Sequence, residues 1–269
     1  MIQNHLNLKC EVIKMSVAQA EGKNGVRKLR TGGRAARRVI RSSPLDASLR
    51  PVKPGMLGGN FNPLTEAGVD RIHLAALEAL ETIGLADAPE SGKEILVRAG
   101  AIHGDDGRIR FPRSLVEDML GKAQRELTLC ARDSAFDLNL TKTRVHYGTA
   151  GAAVHIVDLE KQEYRDSTVK DLYNAAHLVD QLDNIHFLQR PMVCRDIKDN
   201  YAMDVNTVYA CCSGTKKHVG VSFTEESFVD PIMEMIYLIA GGKKNWLDRP
   251  FISNSNCFVV PPMKFATES

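Results

Sequence analysis

Apolar runs and amphipathic stretches alternate through the second half of the chain. The apolar runs begin at Ile185, His218 and Phe251, at intervals of 33 residues, which is the length of one strand–loop–helix–loop unit. Between them, apolar residues recur every three or four positions, the spacing of one face of a helix. Buried strands that alternate with such helices form parallel sheets. The pattern predicts strands over residues 185–193, 218–223 and 251–260, with at least one more in 145–157.

This alternation predicts the fold class. A closed (β/α)₈ barrel of the TIM type needs about 250 residues, whereas residues 146–269 hold about four strands, so we expect α/β structure forming about the first half of such a barrel. The chain would then end with an open sheet edge at the strand from Phe251. A four-stranded, doubly wound open sheet is the alternative. It is disfavoured because no Gly-x-Gly-x-x-Gly follows a strand, and Gly148-Thr-Ala-Gly151 matches that motif only in part.

The residues before this region divide into two parts. Residues 1–62 are basic and rich in glycine and proline, which predicts an arm and linker. Residues 63–145 predict a small α+β cap region, whose first helix has Thr65 as its N-cap. We also expect a capping box, Thr168 with Asp171, at a later helix. The apolar stripe of the first helix is predicted to be core: Val69, Ile72, Ala76, Leu80 and Ile83.

Charge is distributed unevenly along the chain. Net charge is +2, yet residues 1–53 contain twelve Lys or Arg against three acidic residues. The stretch Arg27–Arg38 has the charge to follow a phosphate backbone, but it lacks interleaved aromatic residues and any recognisable nucleic-acid module. A solvated or partner-docking arm is the favoured interpretation, and nucleic-acid binding is the alternative.

Several classes of protein are excluded or disfavoured by what the sequence lacks. There is no run of about 18 apolar residues and no secretory signal, so we expect no membrane span and a cytoplasmic location. The six cysteines form no C-x-x-C pair, and we expect reduced, mostly structural thiols and no metal site. Walker loops, nucleophile elbows and paired-carboxylate signatures are also missing.

Polar residues at the carboxyl ends of the predicted strands are the candidate site, because a parallel barrel places its active site there. Gln189 and Arg190 end the first strand, and Ser222 to Thr224 end the second. In the third, Asn254 and Asn256 would lie on one pleat face and suggest a polar cavity. Each has a structural alternative. Thr224 would cap the next helix, the asparagines would bond to each other, and neighbouring Arg195 and Asp196 would form an ion pair.

Seven motifs together resemble one known family. They are RAARR at 34–38, PGMLGGNFNPLT at 54–65, RIHLAALEALETIG at 71–84, YGTAGAA at 147–153, NIHFLQRP at 184–191, SGTKKH at 213–218 and RPFISNSNCFVVPP at 249–262. This pattern is similar to the N-terminal part of the trimethylamine:corrinoid methyltransferases, and the resemblance extends from about residue 27 to residue 269.

The resemblance implies a (β/α)₈ barrel and a reaction. Such enzymes move a methyl group from trimethylamine, or from a quaternary ammonium compound such as glycine betaine, to the Co(I) of a corrinoid. A separate small protein carries the corrinoid, so we expect no cofactor bound directly to this chain. Aromatic rings suit a quaternary ammonium, and Tyr147, Phe187 and Phe223 are the candidates, with core packing as the alternative for each.

The resemblance leaves the catalytic residue unassigned. In relatives that use trimethylamine, the catalytic pyrrolysine lies in the second half of the barrel, and no position of this sequence matches it. Many relatives lack that residue and use betaines. The expected substrate contacts are therefore the residues named above: Tyr147, Gln189, Arg190, Phe223, Asn254 and Asn256. A non-catalytic fragment of such an enzyme is the competing hypothesis, and pairing of two copies through the open sheet edge is a further expectation.

Overall fold

The structure, a computed structural model, describes Arg38 and residues 55–59 and 61–266. The chain divides into two compact units, Met1–Arg50 and Pro51–Ser269, and the elements given below belong to the second. The basic arm predicted over residues 1–62, including most of Arg27–Arg38, lies largely outside the described residues. The predicted boundaries at residues 62 and 145 stay predictions.

Three helices and short antiparallel strand pairs make up the first described part. The pairs are β1 with β6, β2 with β3 and β4 with β5, and Ile109 is completely buried in a small core with Ala88 and Ala101. This mixture is what an α+β region requires. In chain order the elements are β1 (Met56–Leu57), α1 (Glu66–Thr82), α2 (Glu90–Arg98), β2 (Ile102–His103), β3 (Ile109–Arg110), α3 (Arg113–Lys122), β4 (Glu126–Leu129), β5 (Leu138–Thr141) and β6 (Arg144–Val145).

Helix α1 begins as predicted but packs on a different face. The Thr65 hydroxyl accepts a hydrogen bond from the Gly68 amide at 3.1 Å, which confirms the N-cap. The apolar stripe, however, is largely exposed: 52% at Val69, 59% at Ile72 and 48% at Ile83. Leu77 is the residue of α1 that is buried. The prediction of a core stripe is wrong because no described element covers that face of the helix.

A three-stranded parallel sheet with helices forms the second described part. Strand β10 pairs in parallel with β9 on one side and β11 on the other. The elements are β7 (His155–Asp158), β8 (Glu163–Asp166), α4 (Val169–Gln181), β9 (Leu188–Gln189), α5 (Asn200–Gly214), β10 (Val219–Val221), α6 (Val229–Ala240), α7 (Lys243–Asp248), β11 (Ile252–Asn254), β12 (Val259–Val260) and β13 (Lys264–Phe265).

The parallel pairing continues on the far side of β9. Gly148 forms a parallel bridge with Phe187, and the His186 amide donates to the Tyr147 carbonyl at 2.7 Å. The segment around residue 148 therefore lies beside β9 as a fourth parallel partner. Parallel strands alternating with helices, as the sequence predicts, are confirmed for this part of the chain. Closure of the sheet into a barrel stays a prediction.

One hydrophobic core joins the sheet to helices α4, α5 and α6. Leu188, Val219 and Ile252 occupy one register row across the three strands, and all three belong to this core together with residues of each helix. Cross-strand neighbours in register share a face of the sheet. The three helices therefore cover the same face. Helix α4 begins with the predicted capping box, in which Thr168 and Asp171 bond reciprocally.

The segment after β11 differs from the prediction. The strand expected over residues 251–260 ends at Asn254, and residues 259–265 instead form the antiparallel hairpin β12–β13. Its turn contains Pro261 and Pro262, which have no amide hydrogen to extend a strand ladder. The Met263 carbonyl accepts hydrogen bonds from the Ala86 amide at 3.1 Å and from the Arg108 side chain at 2.9 Å. The hairpin thus returns to the first described part.

Candidate functional site at the carboxyl ends of the parallel strands

The face of the sheet opposite the helices carries a row of small and polar residues. Gly220 pairs in register with Gln189 of β9 and with Ser253 of β11. Because side chains alternate along a strand, this row points away from the core residues Leu188 and Val219. The row lies near the carboxyl ends of short strands, which is the edge where the sequence predicts the site.

Gln189 lies across the backbone of Gly220. A Cβ atom placed on Gly220 would lie 2.0 Å from the Gln189 Oε1 and 2.9 Å from its Cδ, so only glycine leaves this room. The main-chain carbonyl of Gln189 accepts a hydrogen bond from the Thr149 hydroxyl. Because of its close approach to Gly220, the side chain of the half-buried Gln189 lies against the sheet at the predicted site. Sequence reasoning missed Thr149, although it lies inside a glycine-rich motif.

The three candidate aromatic side chains differ in their positions relative to this row. The Phe187 ring packs on Gly148, where an added Cβ would lie 2.2 Å from the ring. Tyr147 is 54% exposed, and its ring centroid is 5.9 Å from that of His186. Phe223, just past β10, is half-buried against the main core. Phe187 lies two residues before Gln189 and so on the same face of the sheet, whereas Tyr147 lies on the surface and Phe223 on the helix-covered side.

A buried histidine, His218, contacts the row at Ser253. His218 precedes β10, with its Nδ1 2.7 Å from the Cys130 carbonyl and its Nε2 3.0 Å from the Ser253 hydroxyl. Burial lowers the pKa of His218, which favours the neutral ring. A carbonyl only accepts, so Nδ1 carries the proton and Nε2 accepts from Ser253. This pair fixes Ser253, a residue that the sequence analysis did not select.

The SGTKKH motif lies at the amino end of β10 and has a structural role there. The Lys217 ammonium is buried and donates to the carbonyls of Val179, Leu182 and Ile185 at 2.6–2.7 Å. Two of these carbonyls, those of Val179 and Leu182, lie at the end of α4, and that of Ile185 lies in the segment leading to β9. Asp180 accepts from the Thr215 hydroxyl at 2.9 Å and from the Lys216 amide at 2.8 Å. The motif thus joins α4 to β10 away from the candidate site.

Arg190 is turned towards the core helices. Burial raises the pKa of the Cys194 and Cys211 thiols, and the nearby charge of Arg190 partly offsets this. Arg190 directly follows Gln189, whose side chain belongs to the opposite row, so alternation along the chain places the Arg190 side chain on the helix-covered side of the sheet. Its predicted contact with a substrate stays a prediction, to which this orientation adds no support.

Arg195 and Asp196 do not form an ion pair with each other. Arg195 lies 3.3 Å from Asp166, and Asp196 accepts the Val169 amide at 3.1 Å. The alternative of an ion pair between Arg195 and Asp196 is therefore wrong, because Arg195 pairs with Asp166 instead. Both residues tie the start of α4 and the β7–β8 hairpin to the segment that follows β9.

The asparagines differ from the expected arrangement. Asn254 pairs in register with Val221, which is a core residue on the helix-covered face. Asn256 lies beyond the end of β11, and both side chains are exposed. The prediction that the two asparagines share an inward pleat face is wrong. Ser253 occupies that face instead, because the inward-facing positions of β11 are shifted by one residue from those that the sequence pattern indicates.

The loop between β10 and α6 is fixed by a residue that the sequence analysis did not select. The Thr224 amide and hydroxyl both donate to Oδ2 of Asp204 in α5, at 2.7 Å and 2.9 Å. The prediction that Thr224 caps the next helix is therefore wrong, because its side chain bonds to α5. The only signal in the sequence was an aspartate within an otherwise largely apolar helical face.

The β7–β8 hairpin precedes α4 and is held in place by ion pairs. Arg165 donates to Asp171 at 2.7 Å and 2.9 Å and to Asp158 at 2.8 Å. The bonds from Arg165 hold the pKa of Asp171 at about 2. Beneath the hairpin, the Ala153 amide donates to the Pro191 carbonyl at 2.9 Å. The hairpin is therefore fastened both to α4 and to the segment after β9.

Two kinds of feature are absent from the described residues. No group of three or more His, Cys, Asp or Glu side chains within residues 55–59 and 61–266 is arranged to hold a metal ion. None of the helices in that part of the chain has the length and apolar character needed to cross a membrane. The buried thiols there are poor nucleophiles, since burial raises the pKa of Cys212 to about 12.

Comparison with known proteins adds a family and several relatives. The model of the family described as "Trimethylamine methyltransferase (MTTB)" matches residues 30–269. Trimethylamine methyltransferase MttB of Desulfitobacterium hafniense strain DCB-2 is 29% identical over 191 residues, which are 71% of this chain and 38% of the relative. Its counterpart in Methanosarcina barkeri is 26% identical over 66% of this chain and 36% of its own length.

Another relative has a different named substrate. The glycine betaine methyltransferase of D. hafniense strain Y51 is 26% identical over 200 residues, which are 74% of this chain and 41% of the relative. The chain thus spans about two fifths of the length of the curated relatives it matches.

Proposed function

Because this chain belongs to the trimethylamine methyltransferase (MTTB) family, we propose that it contributes the first half of a barrel that transfers a methyl group from a methylated amine. The donor is trimethylamine or a quaternary ammonium compound such as glycine betaine, and the acceptor is the Co(I) of a corrinoid carried by a separate protein. The single observation that carries this proposal is the family match over residues 30–269. The names of the relatives support both kinds of donor.

The one-sided helix cover of the sheet supports the barrel. Helices α4, α5 and α6 share one core with the row Leu188, Val219 and Ile252. A doubly wound sheet carries helices on both faces, whereas a barrel carries them only outside. The row Gln189, Gly220 and Ser253 would then point into the barrel. We keep the barrel in preference to the doubly wound alternative for this reason.

The chemistry of the inner row suits a methylated cation. A quaternary nitrogen has no hydrogen to donate, so it is bound by aromatic faces and by the negative ends of amide dipoles. Phe187 supplies an aromatic ring near the edge, and Gln189 supplies an amide. We propose these two as contacts with the donor, and Tyr147 as a contact at the rim. Phe223 has less support, because it packs against the core on the helix-covered face. The orientations of Arg190, Asn254 and Asn256 give them less support as well.

The reaction needs positioning more than acid–base chemistry. In a quaternary donor the carbon–nitrogen bond would break with its electron pair left on nitrogen, which leaves as a neutral amine, while a cobalt electron pair would form the new cobalt–carbon bond. Trimethylamine would react in the same way as its N-protonated ion, so that neutral dimethylamine leaves. Rate depends on holding the methyl carbon in line between the two atoms. The protein's part is to orient the amine with one methyl group outward at the carboxyl edge. The corrinoid arrives there with its carrier protein and supplies the nucleophile.

The proposal is tested by following the corrinoid. The protein, as its own cells make it, is mixed with a corrinoid protein reduced to Co(I) and with trimethylamine or glycine betaine. We expect conversion of the Co(I) absorption spectrum to that of methyl-Co(III) with one of these donors. Methyl iodide serves as the control that the corrinoid protein is competent. A persistent Co(I) spectrum with every methylated amine and betaine, while methyl iodide reacts, would overturn the proposal.

A further inference from the structure

Ser253 is the hydroxyl-bearing residue of the inner row, which consists of Gln189, Gly220 and Ser253. It pairs in register with Gly220 of β10, and Gly220 pairs with Gln189 of β9. All three therefore face away from the helices, on the side of the sheet where the methyl donor is proposed to bind. Ser253 is half-buried, so its hydroxyl is open to a molecule on that face.

Gln189 and Ser253 flank Gly220 and form one polar surface. The Gln189 side chain leans across β10, because its Oε1 lies 2.0 Å from the position that a Cβ of Gly220 would take. Ser253 lies one strand further, on β11. Because adjacent strands are about 4.8 Å apart, a small ligand that rests on Gly220 meets both the amide of Gln189 and the hydroxyl of Ser253.

The hydroxyl hydrogen of Ser253 is committed to His218. The Nδ1 atom of His218 lies 2.7 Å from the Cys130 carbonyl, which can only accept, so Nδ1 carries a hydrogen. Burial lowers the pKa of His218, so the ring is neutral and its Nε2 is an acceptor. The Ser253 hydroxyl, 3.0 Å from Nε2, therefore donates to it. Its oxygen keeps only lone pairs for a ligand.

The Cys130 carbonyl is itself held in place from the side away from the row. The next residue, Ala131, donates its amide to Asp137 at 2.8 Å, and Arg249 donates to both oxygens of Asp137 at 2.8 Å. These contacts fix the segment that carries the carbonyl and, through it, the ring of His218, which is 2% exposed. Turning the serine hydroxyl away would leave a buried ring nitrogen without a hydrogen bond, which is unfavourable.

We propose that Ser253 is a specificity-determining residue for the methyl donor: its oxygen, oriented by His218, accepts contacts from the positively charged methylated nitrogen group. This inference rests on the proposed function, because the methyl donor defines the site. His218 is a positioning residue that does not touch the methyl donor.

The chemistry of an N-methyl cation suits a fixed acceptor of this kind. Methyl hydrogens next to a positive nitrogen carry part of its charge and make C–H···O contacts with carbon–oxygen distances of about 3.3–3.6 Å. Contacts of an oxygen with a charged partner are stronger than those with a neutral one. A hydroxyl that could rotate would also offer its hydrogen to uncharged or anionic groups. Ser253, with its hydrogen committed, favours the cation.

The binding test uses two probes of similar size and the protein as its own cells make it. Tetramethylammonium resembles the head group of both kinds of methyl donor, whereas tert-butyl methyl ether has no charge and no hydrogen-bond donor. Isothermal titration should show that the wild type prefers tetramethylammonium. Since the free energy of one C–H···O contact corresponds to about fivefold in affinity, we expect Ser253→Ala to weaken tetramethylammonium binding about fivefold and to leave that of the ether within about twofold.

Thr215→Val is the matched control. It removes another hydroxyl, which donates to Asp180 at 2.9 Å at the amino end of β10, and should leave the affinities for both probes unchanged. Melting temperatures measured in parallel identify any variant that is unfolded. A wild type without preference for tetramethylammonium would contradict the proposal. So would a folded Ser253→Ala variant that binds tetramethylammonium as tightly as the wild type.

A second variant tests the part of His218. His218→Asn keeps an amide hydrogen for the Cys130 carbonyl but removes the acceptor of Ser253, so the hydroxyl becomes free to turn. Its affinity for tetramethylammonium should lie between those of the wild type and of Ser253→Ala. An affinity equal to that of the wild type, in a folded variant, would show that the oxygen needs no orientation and would refute the positioning role.

Nitrogen NMR of the His218 ring tests the orientation without any ligand. At neutral pH we expect a hydrogen on Nδ1 and none on Nε2. A hydrogen on Nε2 would mean that Ser253 accepts from the ring and points its own hydrogen into the site, which would overturn the proposal. A corrinoid left unmethylated in the wild-type assay would instead overturn the proposed function, and the binding and NMR results would still decide whether Ser253 is a fixed acceptor for a methylated cation.

Discussion

Gly220 determines where the side chain of Gln189 lies. The amide of Gln189 occupies the space that any larger residue at position 220 would need, since an added Cβ would lie 2.0 Å from its Oε1. The two residues face each other across β9 and β10 in register. This contact sets the amide against the inner face of the sheet.

We expect Gly220→Ala to displace Gln189 and to destabilise the fold by about 1 kcal/mol, at the low end for overpacking because a flexible side chain gives way. In a Gln189→Ala background the same substitution should cost close to nothing. Equilibrium unfolding in denaturant of both single variants and the double variant measures this coupling. Equal losses in the two backgrounds would contradict the contact.

For single residues, the sequence predicted polar side chains at the site correctly but did not always identify the right positions. Polar side chains do lie at the carboxyl ends of β9 and β10, as predicted. It chose Asn254 and Asn256 over Ser253 because the start of a strand sets which alternate residues face inward, and β11 starts at Ile252. A shift of one residue exchanges the two faces. Asp204 and Thr149 were missed because their partners lie in other elements.

At the scale of elements, the β7–β8 hairpin depends on Arg165. Its guanidinium bonds to Asp158 within the hairpin and to Asp171 in α4. The bonds from Arg165 lower the pKa of both carboxyl groups, that of Asp171 to about 2. The ion pairs fasten the hairpin to the first turn of α4, next to the proposed site.

This arrangement predicts a dependence of stability on pH. Asp171 has a lower pKa in the folded chain than in the unfolded chain, where it is about 3.9. Its contribution is therefore complete above that value and is lost as the pH falls towards 2. We expect Arg165→Met to lose less stability than the wild type between pH 4 and pH 2.

Thermal unfolding across this pH range measures the effect. Lys161→Met is the matched control, because Lys161 is an exposed residue of the same hairpin and lies 3.9 Å from Glu163. Its acid profile should follow that of the wild type. An Arg165→Met profile parallel to the wild type would mean that these carboxyl groups do not carry the acid sensitivity.

Helix starts were predictable at this scale, whereas helix packing was not. The N-cap at Thr65 and the capping box of Thr168 and Asp171 are formed by residues within three positions of each other, so the local sequence contains all of the information. The apolar stripe of α1 was predicted to be buried and is largely exposed. Burial depends on what lies opposite a helix face, which the helix's own sequence does not contain.

At the scale of the whole molecule, the interval of 33 residues correctly predicted parallel strands alternating with helices. Each strand is covered by helices nearby in sequence, so a local pattern repeats. The β12–β13 hairpin was not predicted, because its contacts join Met263 to Ala86 and Arg108. Contacts between residues so far apart leave no periodic signal. Barrel closure depends on pairing of the same long-range kind and stays a prediction.

The location of the bound methyl donor tests the account most directly. We would determine the crystal structure of the protein with glycine betaine or trimethylamine. The account predicts the nitrogen at the carboxyl edge of the sheet, with its methyl groups in contact with the Phe187 ring and close to the Gln189 amide. A donor bound at the amino end of β10, near Asp180 and Thr215, or on the helix-covered face, would contradict it.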